Sequence, residues 1–455
     1  MNPARPTLQA VYGLIPLLAA GLAAFSGLLV LSAALVPAPA TAGVSAPSLR
    51  PDMPREIRSW RDDWLSGPQY LDLADQWRTY SITHPEAAVA HVMIYRALYY
   101  AGGQDVEEIQ AHITRALEID PDCPEALNAK ADTVLRSGTP LVERAESYEL
   151  ASRAVELAPQ WARPHFVLYP LAVLLDKPRE AAQHLAALLD KGAFTTPLID
   201  HAHNLLVSAE PDGFVFTNGD NDTYPCLALQ QARGIRPDVT VVNLSLLNLP
   251  EFARLTVGPE HPDGRGPFTN EELNGMYDQF QREYVQNRRL FSSLVMRELC
   301  ARAADGRHPG PVYVAVTVPT STRDQCGKEV RIEGLLLRAG TRDSESTPEP
   351  IINLERTYQL FTRHYRLESA TDLGTRWSDY PSVAHLMGNY SGILFRLAVS
   401  AAKADRAPEM RYAFRTGLII DKFHGNSESR DRLTEYWNRL DPDNTEARSW
   451  LSKPQ

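Results

Sequence analysis

The residues best suited to chemistry lie in one short run, Asn218-Gly219-Asp220-Asn221-Asp222-Thr223. Two carboxylates stand one residue apart, and Asn218, Asn221 and Thr223 add amide and hydroxyl groups. Hard oxygen donors of this kind suit Mg²⁺ or Ca²⁺, with Asp220 and Asp222 as the metal ligands, or they suit a sugar. Alternating Asp-x-Asp also grips metal-bound diphosphates in several transferases, but the spacing departs from the EF-hand loop and lacks its distal Glu. Asn243, at the end of the next apolar run, completes the candidate ligand set. The same residue types serve structure equally well. Asn-Gly makes a turn, Asp222 or Thr223 caps a helix, and Asp220 can satisfy the loop's own backbone. A ligand site and a structural turn both fit at this level.

Other candidates are less ordered. His201 and His203 beside Asp200 resemble a metal trio, but on a helix residues two apart point about 200° away from each other. They read as surface or capping histidines. Tyr313, Thr317 and Arg323, near the end of a later strand, are candidates to line a cleft with Asp220. The four cysteines, Cys123, Cys226, Cys300 and Cys326, show no CxxC spacing and no histidine at zinc spacing, so they read as free thiols. In an exported chain they would allow one or two disulfides, with three pairings among which sequence does not choose. No GxSxG, Walker loop, GxGxxG or HExxH occurs in the chain.

The elements that must position the Asn218–Thr223 run are legible in the periodicity. Phe214-Val215-Phe216-Thr217 is a short apolar strand, 224–233 is helical up to Gly234, and 239–244 is a second β-branched strand. A helix between two buried strands implies a crossover and a parallel sheet, with ligands at the carboxyl ends of the strands. One long helix is expected over about 270–304, a third strand over 312–318 and a fourth over 330–337. Before this domain, Ala116-Leu117-Glu118-Ile119-Asp120-Pro121 recurs as Ala154-Val155-Glu156-Leu157-Ala158-Pro159, a shift of 154 minus 116, or 38. That motif resembles the end of a tetratricopeptide repeat, here with extra residues around Gly138-Thr139-Pro140, and about three helix pairs fill 85–192. Stacked pairs of this sort commonly hold a peptide or protein. Trp60, Trp64 and Trp77 read as a packing stripe before the repeats. After about residue 358 helices return, with a final pair over 406–420 and 429–440.

The chain has 455 residues, is 44% hydrophobic and carries a net charge of -10, an ordinary globular balance without the basic stretches that nucleic-acid binding needs. From Ala10 to Val36 no residue is charged. As a helix this run would cover roughly 40 Å, more than the ~30 Å hydrocarbon core, and it is longer than the apolar part of most cleaved signals. The small-x-small site Ala40-Thr41-Ala42 supports cleavage instead, so an anchor and a signal peptide both remain in play. The expected organisation is an anchor or signal over 1–42, a linker and first helices over 43–84, tetratricopeptide-like repeats over 85–204, an α/β domain with a parallel, Rossmann-like sheet over 205–345, and a helical region over 346–455. The body is expected outside the cytoplasm, on the periplasmic face, or secreted if the signal is cleaved.

The stretch Phe214–Asn248, with Pro311–Pro319, Arg331–Arg338, Asn353–Tyr358, Asn389-Tyr390 and Phe395–Ala398, resembles the soluble carboxy-terminal region of bacterial multi-spanning proteins of the protein O-mannosyltransferase-like group. Those proteins also attach tetratricopeptide-like helices. They carry transferase chemistry in a bundle of membrane helices, and this sequence has a single long apolar run. The resemblance therefore implies an accessory domain freed from its enzyme and assigns no catalytic role to Asp220 or Asp222. The expected function is a membrane-tethered binding or scaffold protein with a protein partner on its repeats. The alternative is an enzyme acting on a sugar or phosphorylated substrate through Asn218–Thr223. Cell fractionation checks the address: the full-length chain is expected with membranes or in the exported fraction, and its recovery from the soluble cytoplasm would overturn the assignment.

Overall fold

The computed structural model describes residues 46–58, 65–102, 106–135, 138–287, 289–326, 330–340, 351–371, 381–424 and 427–451. The apolar run Ala10–Val36, the small-residue site at Ala40–Ala42, and Trp60 and Trp64 lie outside them. Among the described residues no helix is long and apolar enough to cross a membrane. The chain divides between Ala193 and Phe194 into two compact units.

Among the described residues the first unit holds seven helices and no strand: α1 (Gly67–Thr83), α2 (Ala88–Ala101), α3 (Val106–Ile119), α4 (Pro124–Asp132), α5 (Leu141–Leu157), α6 (Pro164–Leu174) and α7 (Pro178–Asp190). Proline opens α4, α6 and α7, where its missing N–H costs nothing and its fixed φ is already helical. Helix α2 stops at Gly102, whose φ of 70° is open to glycine. Successive helices pack as antiparallel hairpins, α2 with α3, α4 with α5 and α6 with α7. Residues 46–58 lie along this unit as a strap. The buried Glu125 carboxylate accepts from the Ser48 N–H at 2.8 Å and the Ser48 hydroxyl at 3.0 Å. The buried Trp77 donates its indole N–H to the Arg55 carbonyl at 3.0 Å.

Two hairpins carry a histidine pair at equivalent positions. His91 and His165 each stand six residues after a turn proline, Pro85 and Pro159, where the middle hairpin has Leu127 after Pro121. Their partners His112 and His184 stand four before Ala116 and Leu188, where the middle hairpin has Leu150 before Ala154. In both pairs the Nδ1 atoms are 3.1 Å apart, so one ring donates to the other. At the second pair the Tyr148 hydroxyl lies 3.1 Å from His184 Nε2, and His165 Nε2 is buried without a partner. A buried lone pair is cheaper to strand than a buried N–H. The favoured tautomer therefore has His165 Nδ1–H donating to His184 Nδ1, and His184 Nε2–H donating to Tyr148.

In the second unit α8 (Thr196–Ser208) precedes β1 (Phe214–Thr217), α9 (Asp220–Arg233), β2 (Thr240–Asn243), α10 (Pro250–Thr256), α11 (Asn270–Asn287), α12 (Phe291–Ala304), β3 (Val312–Ala315) and α13 (Thr320–Arg323). Strands β4 (Val330–Glu333), β5 (Leu336–Ala339) and β6 (Ile351–Ile352) complete a mixed sheet in the order β2-β1-β3-β5-β4-β6. The parallel expectation holds for β2, β1 and β3; β5 runs antiparallel to both β3 and β4, and the short β6 lies parallel to β4. The expected single strand over 330–337 is instead a hairpin. Gly334 turns it with a φ of +62°, and a Cβ there would run into the Tyr365 hydroxyl. The expected single helix over 270–304 is two, because Leu290 is extended and Asn248 accepts from the Ser292 N–H at 3.0 Å, which caps α12 afresh.

Strand β1 is buried along its whole length, and Phe214, Phe216, Val242, Val312 and Val314 share one core with Leu205 and Leu206 of α8. Helix α8, which the sequence places with the repeats, thus belongs to this unit. Arg236 closes its carboxyl end, donating to the Leu206 and Ala209 carbonyls at 3.1 and 2.7 Å. The remaining chain is α14 (Leu354–Gln359) with a π-turn at Leu360–His364, α15 (Glu368–Thr371), α16 (Pro381–Lys403), α17 (Ala407–His424), α18 (Ser427–Leu440) and α19 (Thr445–Leu451). Phe414 of α17 stacks on Trp437 of α18 with ring centroids 5.8 Å apart.

Burial lowers His165 and His184 to about 3 and about 4. Because the folded values lie below the ordinary 6.5, the unfolded chain takes up protons first as pH falls. The contribution of the pair is fully present above that value and is lost on acidification toward the folded values. Thermal melts between about pH 7.5 and 4.5 are expected to show a shallower acid loss of stability for His165→Leu/His184→Leu, which copies the Leu127 and Leu150 of the middle hairpin. An unchanged pH slope would remove the pair as an acid-sensitive element.

Candidate functional site

Strand β1 delivers the Asn218–Thr223 run at its carboxyl end, and the chain turns at once into α9. Gly219 precedes the helix in an extended conformation, and Asp220 and Asp222 fall in its first turn, where a carboxylate meets the positive end of the helix dipole. The two carboxylates then part. Asp222 is 2% exposed, whereas Asp220 is half-buried.

Asp222 reaches back over the turn that leads to it. Its Oδ2 accepts from the Asn218 N–H at 2.8 Å and its Oδ1 from the Gly219 N–H at 2.9 Å, so it satisfies two backbone donors that the helix leaves unpaired. The Thr317 hydroxyl, just beyond β3, donates to the same Oδ2. Burial pushes the Asp222 carboxyl above the usual range, and the Thr317, Asn218 and Gly219 donors pull it back. Both oxygens face into the fold.

Thr223 and Asn243 belong to a second internal chain of hydrogen bonds. Thr217 donates to the Val242 carbonyl at 3.2 Å, so in its 2.7 Å contact with Thr223 it can only accept. Thr223 in turn accepts from Asn243 Nδ2 at 3.1 Å. Asn243 Oδ1 takes the Ser245 and Leu246 N–H groups at 2.7 and 3.0 Å, which ends β2 and starts the next turn. Every hydroxyl hydrogen in the chain Asn243–Thr223–Thr217–Val242 has an acceptor. Strand exits β1 and β2 are locked together by it.

Of the six sequence candidates, Asp222, Thr223 and Asn243 therefore face inward, while Asn218 is exposed and Asp220 and Asn221 are half-buried. Among the described residues no group of three or more His, Cys, Asp or Glu side chains is placed to hold a metal ion. Thr317 is the one cleft candidate that reaches the loop. The Tyr313 hydroxyl instead accepts from the Glu210 N–H at 3.3 Å, ahead of β1, and Arg323 donates to Thr320 at 2.8 Å.

His201 is not a surface histidine. It is fully buried, with Nδ1 3.3 Å from the Tyr390 hydroxyl, and burial lowers it to about 3. Asn204 joins it, donating to Tyr390 at 2.9 Å and to the Arg366 carbonyl at 2.8 Å and accepting the Arg366 N–H at 2.7 Å. Ser208 meets the Tyr365 hydroxyl at 2.6 Å. Sequence reasoning missed Asn204 and Ser208, although 201, 204 and 208 follow a helical spacing of three and four that marks one polar face on an otherwise apolar helix.

Residues 198–254 match the family model described as TMEM260-associated domain 2. The matched stretch runs from α8 through β1, the Asn218–Thr223 turn, α9 and β2 into α10. It fits a TMEM260-like family. No curated protein matches the chain.

Asp222→Ala is expected to lower stability by about 2–4 kcal/mol, since two backbone N–H groups and the Thr317 hydroxyl lose their acceptor inside the protein. Asp222→Asn keeps one acceptor oxygen and is expected to cost about 1–2 kcal/mol. Urea unfolding of the full chain measures both. Stability equal to the parent in Asp222→Ala would sink the structural role.

Proposed function

We propose that this chain is a membrane-tethered, extracytoplasmic binding or scaffold protein, with tetratricopeptide-like hairpins for a protein partner and a Rossmann-like half-sheet, accessory to envelope protein or glycan modification. The observation that carries the reading is the inward engagement of Asp222, Thr223 and Asn243: the groups most suited to chemistry hold the strand exits together. The match over 198–254 and the stacked hairpins support it as well. So does the strap, whose first described residue, Ala46, stands ten positions after the apolar run ends at Val36.

A second reading has one observation in its favour. Strand β1 lies between two parallel neighbours, β2 and β3, and Asn218, Asp220 and Asn221 sit at its carboxyl end, where open α/β sheets bind ligands. On that reading the chain is an enzyme for a sugar or phosphorylated substrate, with Mg²⁺ or Ca²⁺ at Asp220. The two readings separate in one experiment on the full chain purified in detergent. Co-purification of a glycan-modifying membrane enzyme, without turnover of a sugar-nucleotide and glycan panel, is the expected result. Metal-dependent turnover that is lost in Asp220→Ala would replace the scaffold by the enzyme.

A further inference from the structure

Two of the four cysteines are brought together across the α/β core. Cys300, fully buried on α12, has its Sγ 2.9 Å from the Sγ of Cys326, which is half-buried in the turn after α13. That separation is within one ångström of the ~2.05 Å of a disulfide bond. The other two thiols are engaged elsewhere. Cys226 donates to the Asp222 carbonyl at 3.2 Å, and Cys123, in the first unit, donates to Glu125 at 3.4 Å. Of the six pairs that four cysteines can form, the fold brings one within reach.

We infer that Cys300 and Cys326 are an oxidisable pair that closes to a disulfide through thiol–disulfide exchange, clamping the segment beyond β3 onto α12. Cys326, the more exposed thiol, is the one an external oxidant reaches. Its thiolate attacks a disulfide of the oxidant, either a dithiol oxidoreductase or oxidised glutathione, and one oxidant thiolate leaves. Cys300 then gives up its proton and attacks the Cys326 sulfur, the new S–S bond forms, and the second oxidant thiolate leaves. Two electrons and two protons pass to the oxidant. The ring closed by the bond holds β3 and Thr317, the residue that donates to Asp222. Oxidation therefore fixes the β3 side of the strand-exit junction. Geometry makes the pair competent, and whether it closes in cells rests on the extracytoplasmic address proposed above, since reducing compartments keep such thiols open.

The test treats the purified full chain with oxidised glutathione and maps peptides without reduction. A Cys300–Cys326 crosslinked peptide, loss of two of the four free thiols, and a melting temperature raised by roughly 5–10 °C are expected. Cys326→Ala and Cys300→Ser should each abolish the crosslink and the shift, while Cys226→Ser keeps both. A stable glutathione adduct on Cys326 without ring closure, or a crosslink through another cysteine, would overturn the inference. Alkylating thiols in acid-quenched cells separates the two claims: a pair that closes with oxidised glutathione but stays reduced in cells overturns the address and supports the pair.

Discussion

The second unit depends on one carboxylate held inside the protein. Asp222 receives the backbone donors of Asn218 and Gly219 and the hydroxyl of Thr317, so the exit of β1, the start of α9 and the exit of β3 meet at a single side chain. Removing a carboxylate from water is costly, and only several well-placed donors make it tolerable. Here the donors come from two segments distant in sequence. The carboxylate thus does what a cap does locally and joins two parallel strands as well.

Around that junction the sheet has two halves with different logic. The parallel half, β2-β1-β3, is joined by helical connections and buried on all sides of β1. The antiparallel half is a hairpin tied down from behind by Tyr365. Its hydroxyl accepts from the Leu335 N–H at 2.9 Å and meets Ser208 of α8 at 2.6 Å. Glycine suits position 334 because its φ of +62° lies in the region other residues rarely adopt, and a side chain there would press on that hydroxyl. The polar face of α8, His201, Asn204 and Ser208, does for the returning chain what Asp222 does for the strand exits: it binds the chain after β6 to the helix ahead of β1.

The first unit shows how one repeat frame carries different chemistry at one position. Helix and turn signals recur from hairpin to hairpin, while the facing pair is histidine and histidine in two of them and leucine and leucine in the sequence between. Buried neutral imidazoles pack as flat, half-apolar rings, so the substitution leaves the frame intact and changes only its response to protons. The buried Glu125 does comparable work on the strap, replacing water around Ser48 with its own oxygens.

Local patterns in the sequence suffice for much of this architecture. Turn prolines and the alanine-rich motif mark the hairpins, the change of period at Gly213 marks the sheet, and Asn218-Gly219 marks the turn into α9, because each depends on residues within a few positions of one another. The long apolar run near the amino end and the absence of basic stretches are equally direct. What tertiary structure decided are the events that need distant partners. Asp222 turns inward because Thr317 waits 95 residues away. The turn that folds 330–337 back is held by Tyr365, whose hydroxyl takes the Leu335 N–H, and the helix at 270–304 breaks where Asn248 caps its second half. His201 is buried because Tyr390 lies 189 residues further on. Cys300 finds Cys326 because α12 and the turn after α13 pack on the same core. Residue type states what a side chain is able to do, and only the packing of remote segments settles which of those abilities is used.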